Sequence, residues 1–551
     1  MGAGFGHCWA NTQMHREQRK MQVISHHAYS SRRSAILARN VVATSQPLAA
    51  QAGLGMLARG GNAVDAAIAT AATLCVVEPT GNGLGADAFA ILWDGTQLHG
   101  LNASGRAPAG WGPDRFAGLQ KMPFWGWEAV TVPGAVSGWV ALWEKFGSLP
   151  FETLLEPAIS YAENGFAVSP VIADLWARGA AQLANQPGFA DVFMPNGAAP
   201  KAGQWFTNPA LGHSLRRIAQ TTGAAFYTGD LAEKIVDFAK MHGAALSMQD
   251  LADHRADWCG TISQQFDDVS LHEIPPNGQG IAALMGLGIL NHTGIRDLHP
   301  DDPQALHLQI EAMKLALRDA ETYVADPAHM GHVSSEDLLD PSYLKARAQL
   351  ISPRQATNFG AGAPKRGGTV YLSVGDSAGR MVSFIQSNYA GFGAGVVVPG
   401  TGIHLQNRGA GFSLDPNSQN FVGPRKRPFH TIIPGFLMRN GAPLASFGVM
   451  GGPMQTQGHV HMTLRTQLWG QDVQQAIDAP RWRATEGLGV AVETSMPQAT
   501  LTRLAEMGHA LTLEPPDNAF GFGGAQFVQR LDNGAYAAGS ESRKDGQAVG
   551  F

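Results

Sequence analysis

The junction Gly367-Gly368-Thr369 is where residue types and spacing in this chain come nearest to a reaction centre. A stretch without apolar period, PRQATNFGAGAPKRGG from Pro353 to Gly368, ends in two glycines and runs straight into a strand-like segment that opens with Thr369. That layout suits a self-cleaving N-terminal nucleophile. A glycine leaves the carbonyl before Thr369 open to approach. A freed threonine also carries its own base, an α-amine with pKa near ~7.7–8. Taken alone, the triplet is better explained as a threonine that opens a strand after a loop, because Gly-Gly-Thr is common. Other chemistries lack their motifs: GxxxxGK[ST], GxSxG and HExxH are absent, and the glycine clusters at 81–85, 391–395 and 521–524 do not satisfy GxGxxG. His459-x-His461 would put two imidazoles on one face of a strand but has the wrong spacing for one face of a helix, and no third ligand lies near in sequence. No metal and no cofactor are expected.

The elements that must position Thr369 follow from patterning. Ser45 is expected to cap a helix with Pro47 in its first turn and Leu48, Gln51, Leu54 and Leu57 at helical spacing; Gly60-Gly61 stops it. Asn62, with Asp65 three residues on, should cap a second, Ala-rich and buried helix reaching Cys75. Ala88 to Trp93 and Leu98 to Leu101 read as a hairpin around Asp94-Gly95. The middle, Pro133 to Pro327, reads as largely helical, most clearly from Pro303 to Val324 with Leu306, Ile310, Met313, Leu317 and Ala320 on one face. Beyond residue 368 the chain turns β-rich. Hairpins are expected for Thr369–Val374 with Arg380–Ile385, Gly435–Met438 with Leu444–Phe447, and Ala525–Leu531 with Ala535–Ala538. Hairpins at both ends with helices between suggest stacked sheets covered by helices.

Composition bounds the class. The 551 residues, 44% hydrophobic and 15% charged, exclude a disordered chain and allow one large or two fused domains. A net charge of −5 gives no footprint for nucleic acid. No apolar run is long enough to span a bilayer. Glycine, at 67 residues, is in excess and implies many tight turns. The three cysteines, Cys8, Cys75 and Cys259, are far apart, which excludes a disulfide scaffold and a thiolate zinc site and fits a reducing compartment. Residues 1–41 read as a partly disordered leader. Met1 to Lys20 has no apolar export core, Met21 offers a second start, and His26-His27 reads as solvated; a cytoplasmic location is expected.

From about Val42 to Phe551 the chain resembles the γ-glutamyltransferase (glutathione hydrolase) family. The matching stretches are ATSQPLAAQAGLGMLARGGNAVDAA, TVPGAVSGW, EIPPNGQG, LHLQIEAMKLA, GGTVYLSVGDSAG, GPRKRP and MGGPMQTQ. The resemblance implies an α+β fold, the four-layer αββα N-terminal-nucleophile architecture with two stacked, mainly antiparallel sheets. It also implies a precursor cut between Gly368 and Thr369 into a large region (42–368, with 352–368 as flexible linker) and a small one (369–551) that stay associated, with room for a homo-oligomer. Carried over residue by residue, Thr369 is the nucleophile, Ser387 a second hydroxyl that hydrogen-bonds it, and Gly451 and Gly452 the oxyanion-hole pair.

The departures concern the acyl group. The family's carboxylate-clamping Arg falls on Ser104, with Arg106 two residues on. Its amino-group-holding Asp falls on Gly411, and the nearby Gln is Arg408. A Ser-Ser pair appears as His430-Thr431, and an Asn after the second hydroxyl as Tyr389. Arg106, Arg408, Tyr389, His430 and Thr431 are therefore the expected substrate-binding residues, with Asp415 as a substitute partner for an amino group and a surface ion pair as the plain alternative for Arg408. The resemblance implies amide hydrolysis or transfer through an acyl-Thr369 ester. The family default is γ-glutamyl compounds. The alternatives are a carboxylated amide without an α-amino group, as in related cephalosporin acylases and oxamate amidohydrolases, and an unprocessed, non-catalytic scaffold.

Overall fold

The computed structural model describes residues 33–360, 368–516, 518 and 521–551. Gly367, Cys8, the His26-His27 pair and the Met1–Lys20 segment lie outside them.

Two seven-stranded sheets form the centre, and every neighbouring pair in them is antiparallel. One runs, edge to edge, through Gln547–Gly550, Val41–Thr44, Gly368–Gly375, Met381–Tyr389, Asp87–Trp93, Leu98–Ala103 and Asp257–Trp258. The other runs through Ile36–Ala38, Tyr536–Ser540, Gly524–Arg530, Ala442–Met450, Gly435–Arg439, Val269–Glu273 and Ile262–Phe266. Because strand side chains alternate with period two, each inner strand feeds two cores. Val370, Leu372 and Val374 pack on the helices outside the first sheet, while Tyr371 packs between the sheets with Phe89, Ile385, Phe436 and Val528. Helices Gly280–Leu290, Pro303–Tyr323 and Gln455–Thr463 cover the second sheet. The four layers are thus helix, sheet, sheet, helix, as the resemblance implied.

Local signals hold, with several differences. Asn62 caps the helix Ala63–Val77 in a capping box with Asp65, and every residue of that helix is buried. The preceding helix, Pro47–Ala58, is capped by Gln46 rather than Ser45; the Ser45 hydroxyl instead donates to Glu78 at 2.6 Å. Its buried residues are Ala49, Ala50, Ala52, Gly53, Met56 and Leu57, with Gln51 exposed, because small residues let it lie against its neighbour. The helical middle also holds a hairpin, Ile262–Phe266 with Val269–Glu273, that completes the second sheet; its alternation is short and falls between long helices. Within the expected leader, Ile36–Ala38 is a strand paired with Tyr536–Ala538. The described part of the linker is anchored: Ala356 N donates to Met507 O at 2.7 Å and Thr357 N to Glu311 Oε2 at 2.8 Å.

Asp65 is the tightest of these local devices. Its buried carboxylate accepts from Asn62 N at 2.9 Å, Ser148 N at 3.0 Å and Ser148 Oγ at 2.5 Å. Asp65→Ala strands those donors and is expected to cost about 2–4 kcal/mol. A fall of several degrees in Tm checks it; an unchanged Tm would contradict it.

Candidate active site

Thr369 lies in the strand Gly368–Gly375, with Tyr371 and Ser373 on the face that meets the second sheet. The ladder to the next strand slips there: Gly368 pairs with Tyr389 but Val370 with Gln386. Such a bulge re-aims the local backbone at the end of a pairing. On the adjacent strand Ser387 shares the face of Ile385, and across from it in register stands Asp87. Period-two geometry therefore gathers Thr369, Ser387 and Asp87 at one end of the gap between the sheets.

The hydroxyls meet. Thr369 Oγ1 lies 3.2 Å from Ser387 Oγ. Ser387 Oγ also donates to Gly368 O at 2.7 Å and accepts from Tyr389 N at 2.8 Å and Arg408 Nη2 at 3.0 Å. A hydroxyl has one proton and two lone pairs, so those three partners saturate it and the Thr369 contact is the longest of the set.

Arg408 is not a surface residue. It is 1% exposed, its Nη1 donates to Thr431 Oγ1 at 2.8 Å, and its guanidinium lies 4.6 Å from the Tyr389 ring centre. Its Nε has no hydrogen-bond partner among the described residues. Burial pulls its pKa down to about 10, opposed by Asp87 and Tyr389, so it is charged at neutral pH. Asp87 answers that charge: burial pushes its carboxyl up to about 7, with Arg408 pulling the other way. His430 Nε2 lies 3.1 Å from Asp87 Oδ2, and burial with two nearby guanidinium groups holds the imidazole well below its usual pKa. The neutral ring then donates to Asp87 from Nε2.

A cavity of about 360 Å³ opens beside this cluster, lined by Tyr389, Gly411, Thr431, Gln279 and Pro453, by Leu317 and Ala320 of the helix Pro303–Tyr323, and by Val324 just after it. Glu321 and Asp415 also line it. At Gly411 a Cβ would stand 2.9 Å from Phe429 O, so the backbone leaves no room for an acidic side chain there. Gly451 and Gly452, at φ 145° and 68°, turn the chain from the strand Ala442–Met450 into the helix that follows. Those dihedrals suit glycine and not an L side chain. Neither N–H has a hydrogen-bond partner among the described residues. Such an arrangement can hold a developing oxyanion, and the paired hydroxyls can deliver a nucleophile.

Of the expected substrate-binding residues, the structure brings Arg408, Tyr389 and Thr431 together, with His430 bonded to Asp87 beside them, and leaves Arg106 apart. The half-exposed guanidinium of Arg106 is engaged by Asp326 Oδ2 at 3.1 Å and by Arg425 O at 3.2 Å. His430 packs against Asp87 and Phe89 and, like Arg408, is not among the residues that line the cavity. Asp87 and Gln279 were missed. Asp87 opens a strand and reads as a turn residue; only its cross-strand partner Ser387 marks it.

His459 and His461 sit on the helix Gln455–Thr463 and turn to different partners, Glu273 at 2.5 Å and Arg465 at 3.0 Å. His307, Glu311 and His509 bring metal-type ligand atoms within 4.8 Å of one another. They are already occupied: His307 Nδ1 and His509 Nε2 bond at 2.9 Å, and Glu311 takes Lys314 Nζ at 2.9 Å and Thr357 N. A buried divalent cation there would face the Lys314 ammonium, so the residues do not fit one. Among the described residues no helix is long and apolar enough to cross a membrane.

Residues 49–551 match the gamma-glutamyltranspeptidase family. The chain belongs to that family. It is 35% identical over 531 residues to the glutathione hydrolase-like YwrD proenzyme of Bacillus subtilis, covering 94% of this chain and all of that one. It is 36% identical over 518 residues to the oxamate amidohydrolase proenzyme of Klebsiella pneumoniae, covering 92% and 97%. Among solved structures, the cephalosporin acylase of Bacillus halodurans superposes with TM-score 0.92 at 45% identity over 96% of this chain and 99% of that one. This chain is accordingly an enzyme of the γ-glutamyltranspeptidase family with the N-terminal-nucleophile hydrolase fold, and acylases and amidohydrolases stand among its relatives.

Proposed function

We propose that the chain is a precursor cleaved before Thr369, whose product hydrolyses an amide bearing a carboxylate on its acyl group and no α-amino group. The observation that carries this reading is Arg408: a buried guanidinium beside the nucleophile pair, with an unpartnered Nε and no carboxylate hydrogen-bonded to it among the described residues. A substrate carboxylate satisfies such a group bidentately. An α-ammonium beside it would be repelled, and Gly411 supplies no acid to hold one. The printed names of the relatives, an oxamate amidohydrolase and a cephalosporin acylase, agree with acyl groups of that kind.

Cleavage follows from the same bonds. Ser387 Oγ–H polarises the Gly368 carbonyl while Thr369 Oγ1 attacks its carbon; the Oγ1 proton passes to the Thr369 nitrogen, the C–N bond breaks to leave a free amine and an ester, and water opens that ester to the Gly368 carboxylate and the Thr369 hydroxyl. With the Gly368 carbonyl gone, the Ser387 proton turns to Thr369 Oγ1. In turnover, Thr369 Oγ1 attacks the substrate carbonyl and its proton passes to the new α-amine. The N–H groups of Gly451 and Gly452 receive the oxyanion, a contribution of about 3 kcal/mol per donor. The leaving amine departs with the proton, and water releases the acid. Residues 1–368 and 369–551 stay associated because their strands interleave in both sheets.

A γ-glutamyl reading has one observation in its favour: Asp415 and Glu321 line the same cavity and could take an ammonium. The ratio of kcat/KM for a glutaryl anilide and its γ-glutamyl counterpart separates the two. The glutaryl compound is expected to be preferred by roughly tenfold or more, the scale of one mismatched polar group. A clear γ-glutamyl preference would overturn the des-amino reading.

A further inference from the structure

We infer that Gln279 is a positioning residue that ties the oxyanion glycines to the guanidinium clamp; the inference rests on the reading of Gly451-Gly452 as oxyanion donors. Gln279 is 1% exposed, lies at the entrance of the helix Gly280–Leu290 and lines the cavity. Its backbone N donates to His430 O at 2.9 Å, which pins the residue to the His430-Thr431 segment. Its single side-chain nitrogen then donates twice, to Thr431 O at 2.5 Å and to Gly452 O at 3.0 Å. Thr431 is the residue whose hydroxyl takes Arg408 Nη1.

An amide nitrogen has two protons, and here one goes to each half of the site. The Gly452 bond fixes the orientation of the peptide that follows Gly452. Gly451 and Gly452 both have positive φ, and no side chain of their own braces them. A glycine pair free to rotate would present its N–H groups in many directions, and an oxyanion hole works only when preorganised. Gln279 supplies that brace from outside the loop and places it in register with the carboxylate clamp. The distance between the held carboxylate and the polarised carbonyl is thereby set by one side chain. It selects acyl chain length as well as stabilising charge.

Gln279→Met keeps the shape and loses both donated bonds. Precursor cleavage before Thr369 uses the Gly368 carbonyl at Ser387, not the glycine pair, so this variant is expected to process fully, which reports that it folds. On the best carboxylated anilide, kcat is expected to fall about 10- to 100-fold, less than the loss of a whole oxyanion donor, with KM within about threefold. The preference between succinyl, glutaryl and adipyl anilides should flatten to within about twofold. Retention of kcat within twofold, or a rise in KM at unchanged kcat, would overturn the inference. Should Gln279→Met fail to process, Gln279→Asn, which keeps the donor but shortens its reach, replaces it; its kcat and chain-length ranking are judged by the same limits. A carboxylated alkylboronic acid tests the underlying reading separately on the wild-type enzyme. Inhibition no stronger than by the matching alkanoic acid would remove the oxyanion role of Gly451-Gly452, whatever Gln279 does.

Discussion

The wild-type protein is expected to run on a denaturing gel as two fragments, and Thr369→Ala as one chain near 58.3 kDa with no measurable amidase activity. The substitution removes the hydroxyl that attacks the Gly368 carbonyl and, with it, the nucleophile of turnover, so the effect is all or none. Sequencing the smaller fragment should return Thr-Val-Tyr-Leu. Any other first residue would sink the cleavage site, and a wild-type protein that stays whole would favour the scaffold alternative. Ser387→Ala should slow the cut without moving it. Thr369 would then attack a carbonyl that has lost the hydroxyl donating to it at 2.7 Å.

Arg408→Met is expected to lower kcat/KM for a carboxylated anilide by about 100-fold, mostly through KM, since the carboxylate is present in ground and transition states alike. An acyl anilide without a carboxylate should lose far less, and equal loss on both substrates would reduce Arg408 to a structural role. Arg408→Lys should not restore binding, because a single ammonium cannot span Ser387 and Thr431 as the planar fork does. Cleavage before Thr369 should persist in both variants. Arg106→Ala offers the contrast. Its ion pair with Asp326 involves an arginine side chain that is 44% exposed. Pairs of that kind contribute little, and KM is expected to stay within about twofold.

Local chemistry made much of the fold legible. The Asn62-Asp65 box, the Asp94-Gly95 turn, the Asn440-Gly441 turn and the apolar face of the helix Pro303–Tyr323 are each decided by neighbours within a few residues, so a linear reading reaches them. Ser45 shows the limit. Its hydroxyl is a good cap in isolation but is taken by Glu78, 33 residues away, and Gln46 caps in its place. The hairpin at 262–273 shows the same limit, because its strands are defined by the sheet edge they complete.

The site divides along the same line. The sequence marked Thr369 by its glycine junction, and the family resemblance supplied the expected roles of Thr369, Ser387, Gly451 and Gly452 and the departures at Gly411 and Arg408. Those positions are legible because the Gly-Gly-Thr junction and the glycine turn are each contiguous motifs. Only the tertiary structure decided which arginine stands against Ser387. Arg106 and Arg408 are alike in sequence terms, yet one meets Asp326 near the surface and the other is enclosed with Ser387, Tyr389 and Thr431. Asp87 and Gln279 entered the same way, through a cross-strand register and a pair of long-range carbonyl contacts. A buried charge takes its meaning from what surrounds it in space, since desolvation and the nearest counter-charge set its state, and neither is written in the order of the residues.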